Sequence, residues 1–125
     1  MELLSLSLSG VPLLLSGSEN GLFLYPMQGP RSGHSLLLCS VYKNGLTGCT
    51  CADTVYYSYI SKENSLLLRR LYNPSVLLKI DSTDSVSCLA PQLIPVHNTL
   101  FLFYFEYETE KNLYRLKLHL PFSRM

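Results

Sequence analysis

The longest unbroken apolar run in the chain is Leu100 to Phe105 (LFLFYF), followed closely by the charged stretch ETEKN at 108–112. An antiparallel strand with one face in water alternates apolar and polar residues. Here both parities are apolar, with Leu100, Leu102 and Tyr104 on one and Phe101, Phe103 and Phe105 on the other. The pattern predicts a strand over 99–107 that is covered on both faces, with Leu100 to Phe103 all buried. Its neighbour at 113–120 does alternate, Tyr114, Leu116, Leu118 and Leu120 against Arg115, Lys117 and His119. That alternation predicts a strand nearer a wet edge.

Elsewhere Gly, Pro, Asn and Ser interrupt any helical period, and short runs rich in Leu, Tyr, Phe and Val stand between turn sequences. Strands are predicted at 3–9, 12–16, 21–27, 35–42, 54–60, 65–72, 76–80, 92–97, 99–107 and 113–120. Turns are predicted at GSENG (17–21), YKNG (42–45), SKEN (61–64), YNP (72–74) and ETEKN (108–112). Near the N-terminus Leu4, Leu6 and Leu8 alternate with Ser5, Ser7 and Ser9, the pattern of an edge strand.

The predicted strands recur in a set order. TVYYSYISKENSLLLRRL (54–71) aligns with TLFLFYFEYETEKNLYRLKL (99–118), each with a Thr, an aromatic strand, a turn holding Lys, Glu and Asn, and a leucine strand carrying cations. Their starts lie 45 residues apart. A third copy, GLFLYPM (21–27) with SLLLCSVY (35–42), begins 33 residues before the second. Short strands precede the first and last hairpins in VPLLLSGSEN and PQLIPVHN, and SVLLKID (75–81) follows the second as a fourth. Four antiparallel strands recurring at about 40–50 residues are the pattern of a propeller blade.

In this respect the sequence resembles β-propeller repeat proteins. The resemblance implies an all-β fold of antiparallel four-stranded blade-like units, a partial β-propeller, with a β-sandwich as the alternative. The tags of particular propeller families are absent: no GH…WD pair, no kelch double glycine and no S-x-D-x-G-x-T-W box occurs. The resemblance is therefore to an architecture and carries no site residues. Residues 1–125 hold two to three blades, whereas closed propellers have four to eight. The expectation is a single all-β domain forming the N-terminal part of a longer protein, with a ring of copies as the other option. The final LHLPFSRM, after a third strand with no fourth, favours the longer protein.

With 125 residues, 47% hydrophobic and 15% charged, the chain has the length and apolar content for one domain with a real core. The net charge of +1 and the lone basic doublet Arg69–Arg70 give nothing to draw it to nucleic acid. Residues 85–105 are uncharged, but Pro91, Pro95, His97 and Asn98 fall inside, which argues against a membrane span. Residues 3–18 are also uncharged. Glu2 stands where a signal peptide would be basic, and Gly10 and Pro12 break the run, so the strand reading is preferred. Four cysteines at irregular spacing, Cys39, Cys49, Cys51 and Cys88, read as reduced, buried thiols of a cytoplasmic rather than a secreted protein.

Few residues suggest chemistry. Cys49-x-Cys51, joined by Cys39 or His34, is a narrower pair than zinc knuckles use, so packing in a core strand is the preferred role. A triad of His97, Asp53 and Ser58 can be drawn, yet no G-x-S-x-G elbow accompanies it. His97 reads instead as a turn residue and His119 as the polar face of its strand. Glu106, Glu108 and Glu110 would share one face if their strand ran on, as paired catalytic or calcium-binding carboxylates do. A solvated hairpin tip balanced by Lys111 explains them better. Asp81 and Asp84 read as turn residues. Phosphate loops are absent. Tyr42, Tyr56 and Tyr57 are the candidate ligand-binding residues, as platforms for sugar stacking, against the competing reading that strand burial accounts for them.

No catalytic, cofactor-binding or metal-binding residue is assigned, and no cofactor is expected. The expected function is a non-enzymatic interaction or scaffolding module built from propeller blades. Its partner would be another protein or the remaining blades of the same protein, with homo-oligomer formation possible. The alternative is a carbohydrate-binding or glycan-cleaving propeller.

Overall fold

Apolar runs separated by tight turns fold into antiparallel meanders, in which each strand pairs with its neighbours in sequence. The computed structural model describes residues 1–27, 34–72 and 76–123, with backbone alone from 120 onward. Sheet 1 contains β1 (Glu2–Leu8), β2 (Val11–Ser18), β3 (Gly21–Pro26) and β4 (Leu36–Cys39). Sheet 2 contains β5 (Tyr42–Cys51), β6 (Thr54–Ser61), β7 (Ser65–Arg70) and β8 (Val76–Asp81). Sheet 3 contains β9 (Val86–Val96), β10 (Thr99–Glu108) and β11 (Leu113–Ser123). The fold is all-β, and the described residues contain no helix.

The turns follow from local backbone chemistry. Ser9–Gly10 and Ala52–Asp53 both take positive φ at two successive residues, which matches the twist of the strands they join. His97 turns β9 into β10 at φ 55°, as its sequence context predicts. The YNP turn expected at 72–74 lies outside the described residues apart from Tyr72.

Alternation then decides which faces meet. Leu13, Leu15, Leu22 and Leu24 of sheet 1 pack with Val55, Tyr57, Tyr59 and Leu67 of sheet 2. The opposite face of sheet 2, with Tyr56, Ile60, Leu66 and Leu68, packs with Leu93, Leu100, Leu102 and Tyr104 of sheet 3. The first strands of the sheets lie side by side, β1 against β5 and β5 against β9. Sheet 2 is thus the middle layer, and β6 is buried from Val55 to Ser61.

The expected two-sided burial of 99–107 is corrected by the structure. Leu100, Leu102 and Tyr104 are buried, whereas Phe101 and Phe103 are only half-buried and Phe105 is 41% exposed. The cause is position in the stack: one face of β10 lies on sheet 2, and none of the described residues covers the other. Strands of the middle sheet are covered on both sides instead, β6 from Val55 to Ser61 and β7 from Ser65 to Leu68, and β6 carries Ser58 among its aromatics.

YKNG is corrected as well. It is not a hairpin turn but part of β5, where pairing with β6 slips on either side of Asn44. Gly45 takes φ +76° there, and a Cβ on it would lie 2.9 Å from Cδ of Pro91 in β9. Only glycine combines that backbone conformation with so close an approach. β9 in turn slips against β10 between Phe103 and Phe105, near Ala90 at φ 51°. The predicted strands omitted most of β5, and they began β9 at 92 rather than Val86. The stretches 54–71 and 99–118 occupy the second and third strands of their sheets. The proposed third copy, 21–27 with 35–42, falls on the third and fourth strands of sheet 1.

Candidate interaction face

Register on β10 brings Phe101, Phe103, Phe105, Tyr107 and Tyr114 to one surface. Phe103 stands between Gln92 and Leu118, Phe105 between Leu89 and Leu116, and Tyr107 opposite Tyr114. Residues directly opposite in an antiparallel pair share a face. The rings of Phe101 and Phe103 lie nearly parallel at 6.4 Å, and Phe105 meets Tyr114 edge-on at 6.5 Å. Tyr107 and Tyr114 are closer still, at 4.6 Å. Tyr114 and Leu116 are each 61% exposed and Leu118 is 52% exposed. The apolar side of 114–118 therefore looks outward.

The charges of these strands all have the opposite parity. Lys117 pairs with Glu106 at 3.7 Å, and Glu108 receives Arg115 at 3.8 Å and Lys111 at 3.7 Å. On that side burial pushes the Tyr104 phenol above its usual range, helped by the nearby Cys88 and Glu106. The outer face of sheet 3 is left uncharged, its aromatic and aliphatic side chains interspersed with the polar Gln92 and Ser87. At the other end of the stack, the outer face of sheet 1 presents Leu3, Ser5, Ser7, Leu14, Phe23 and Tyr25, also without charge.

The three tyrosines singled out as sugar platforms do not lie on either outer face. Tyr42 and Tyr57 are buried between sheets 1 and 2, and Tyr56 between sheets 2 and 3. The stacking role is corrected on that ground, because a ring sealed between two sheets offers no face to a ligand. The Tyr42 ring fits over Gly17, and its hydroxyl donates to Oε1 of Glu2. Tyr57 stacks on Tyr59 at 6.1 Å, with its own hydroxyl buried and unpaired. Arg69 donates to the Tyr59 hydroxyl at 3.5 Å. Burial nonetheless holds the Tyr59 phenol well above its usual range, with the hydrogen bond to Cys39 adding to the effect.

The remaining candidates are dispersed. Cys49, Cys51 and Cys88 share the core between sheets 2 and 3, whereas Cys39 lies in the other core and His34 is exposed. All four cysteines are free thiols, and no group of three potential metal ligands occurs among the described residues. Burial and the neighbouring Cys51 push the Cys49 thiol up to about 11. The triad does not assemble around a usable nucleophile. Ser58 is buried and donates to the Leu67 carbonyl at 2.7 Å, while Asp53 and His97 sit on exposed turns. Asp81 accepts from the Ser65 hydroxyl at 2.6 Å and Asp84 is an exposed bend residue.

Two clefts accompany these features. One of about 340 Å³, mainly apolar, is bounded by Leu24, Pro26, His34, Ser35, Leu36 and Tyr72. The other, about 240 Å³, lies at the ion-paired hairpin tip beside Glu108, Glu110 and Lys111. In the second, the Glu108 carboxylate is taken up by its ion pairs with Lys111 and Arg115. Among the described residues no helix is long and apolar enough to cross a membrane. Compared with known proteins, the chain matches no family model and no curated protein sequence.

Proposed function

We propose that the chain is a non-enzymatic interaction or scaffolding module built from consecutive blades of a β-propeller. The observation that carries this reading is the uncharged outer face of sheet 3, where Phe101, Phe103, Phe105, Tyr114, Leu116 and Leu118 stand together. An exposed apolar surface of this kind marks a contact site more often than a monomer's ordinary exterior. The blade reading draws support from the order of the sheets. Each is a meander of three or four strands, they stack face to face in sequence, and their first strands adjoin. The carbohydrate reading has less support, since Tyr42, Tyr56 and Tyr57 all lie inside the stack.

The test compares the immobilised chain with a double variant, Phe105→Glu with Leu116→Glu. The module reading expects protein, further copies of the chain included, to be held by the immobilised unaltered chain and lost by the variant. Retention of immobilised glycans, equal for both forms, would replace it with the carbohydrate reading.

A further inference from the structure

Sheet 2 meets sheet 1 on one face and sheet 3 on the other, so the stack runs in a single direction and leaves one outer face at each end. Where sheet 1 lies on sheet 2, leucines of one sheet enter space left by small residues on the first strand of the next. A Cβ on Gly48 would lie 2.9 Å from Cδ2 of Leu4 and 3.3 Å from Cδ1 of Leu6. Thr50, on the same side of β5, donates to the Ser7 carbonyl at 2.6 Å.

The outer face of sheet 1 offers the same arrangement to whatever would precede it. Its first strand carries the small residues Ser5 and Ser7, beside Leu3 and Leu14. The outer face of sheet 3 has the bulky residues that such a surface receives. Both surfaces are free of charge, so bringing them together strands no ion away from water.

We propose that two copies of this chain dock head to tail, the outer face of sheet 3 in one copy lying on the outer face of sheet 1 in the other. The same contact, made twice about a two-fold axis, closes a ring of six sheets. Six is within the four to eight blades of closed propellers, and the two contacts, exchanged by the two-fold axis, leave neither outer face uncovered. The inference rests on the blade reading above.

Light scattering on the purified chain tests it, using Leu3→Glu and Phe105→Glu as variants. Leu3 is 64% exposed and Phe105 projects from the outer face, so both variants should keep the β-sheet circular dichroism of the parent. The unaltered chain should be a dimer. Each variant alone should be monomeric, because each has a charge in both contacts of the ring. An equimolar mixture should regain dimer through one intact contact, the sheet 3 face of Leu3→Glu on the sheet 1 face of Phe105→Glu. That dimer should dissociate at a higher protein concentration than the parent, because its other contact sets two glutamates together.

A monomeric unaltered chain overturns the proposal. So does a Leu3→Glu variant that stays dimeric, which would mean that two sheet 3 faces meet each other. Polymers beyond two copies overturn the closure. If the unaltered chain is monomeric yet still captures proteins in a Phe105-dependent way, self-docking fails and the interaction reading survives. If neither behaviour depends on Phe105, both fall.

Discussion

The Thr47 hydroxyl accepts the backbone N–H of Leu93 at 3.2 Å, linking the first strands of two different sheets. Thr47 is buried at the point where β5 leaves its regular pairing with β6. Leu93 is likewise buried, two residues beyond Pro91, the residue against which Gly45 is fitted. The two irregular strands hold each other in place, and the hydroxyl satisfies a donor far from water.

Thr47→Val keeps the shape and removes the acceptor. It should destabilise the chain by about 1–3 kcal/mol, the cost of a buried N–H left unpaired, whereas Thr47→Ser should lose much less. Urea unfolding measures both. Equal midpoints for Val and Ser would show that the hydroxyl contributes nothing.

Gly17 matters for space. Its added Cβ would lie 2.4 Å from Cζ of Tyr42, inside the ring's volume. Gly17→Ala should therefore cost about 1–3 kcal/mol through overpacking. The same change in a Tyr42→Leu background should cost clearly less, because the clashing atoms are gone. Additive effects in the double-mutant cycle would place the strain elsewhere.

Adjacent residues on β10 should respond in opposite ways. Leu102 is fully buried, so Leu102→Ala should cost about 2–5 kcal/mol. Phe103→Ala, on the outer face, should cost under half as much despite the larger side chain. Chemical denaturation of the monomeric Leu3→Glu form isolates this comparison from any self-association. A larger loss at Phe103 would mean that the outer face is covered after all.

Alkali should unfold the chain. Burial raises the Cys49 thiol from 9.0 to about 11, and it also raises Cys88, Tyr57, Tyr59 and Tyr104. In each case the folded state favours the neutral form. A folded pKa above the unfolded one gives stability that is complete below pH 9 and lost as pH climbs through about 11 for Cys49. The thermal midpoint should fall across that window, and Cys49→Ala should flatten part of the fall. A midpoint independent of pH from 8 to 11 would contradict the burial of these groups.

The all-β fold was legible because strand period and turn residues are local properties. Which strand is covered on both faces was not, as β6 and β10 make plain. VYYSYIS contains two serines and is sealed, while LFLFYF is wholly apolar and half open. Hydropathy records what a strand tolerates; its place in the stack decides what it receives. Asn44–Gly45 misled for a related reason. The dipeptide is the strongest short hairpin signal, but the same positive φ also serves a bulge, and only the approach of Pro91 from another sheet distinguishes the two. At the outer face, the signal was present in the shared parity of Phe101, Phe103 and Phe105 and in Leu116 and Leu118, once their register was known.

The arrangement of meanders also sets how the chain comes apart. Each sheet is made from one contiguous segment, and the extensive contacts between sheets join only successive ones. Systems built this way have cooperativity that passes from neighbour to neighbour rather than through a single indivisible core. The amides of β6 and β7, enclosed by both flanking sheets, should exchange with solvent last, and those of β11 among the first. Synthesis meets the same order from the other direction: sheet 1 can close its hairpins as it emerges, and then offers sheet 2 a finished surface on which to fold.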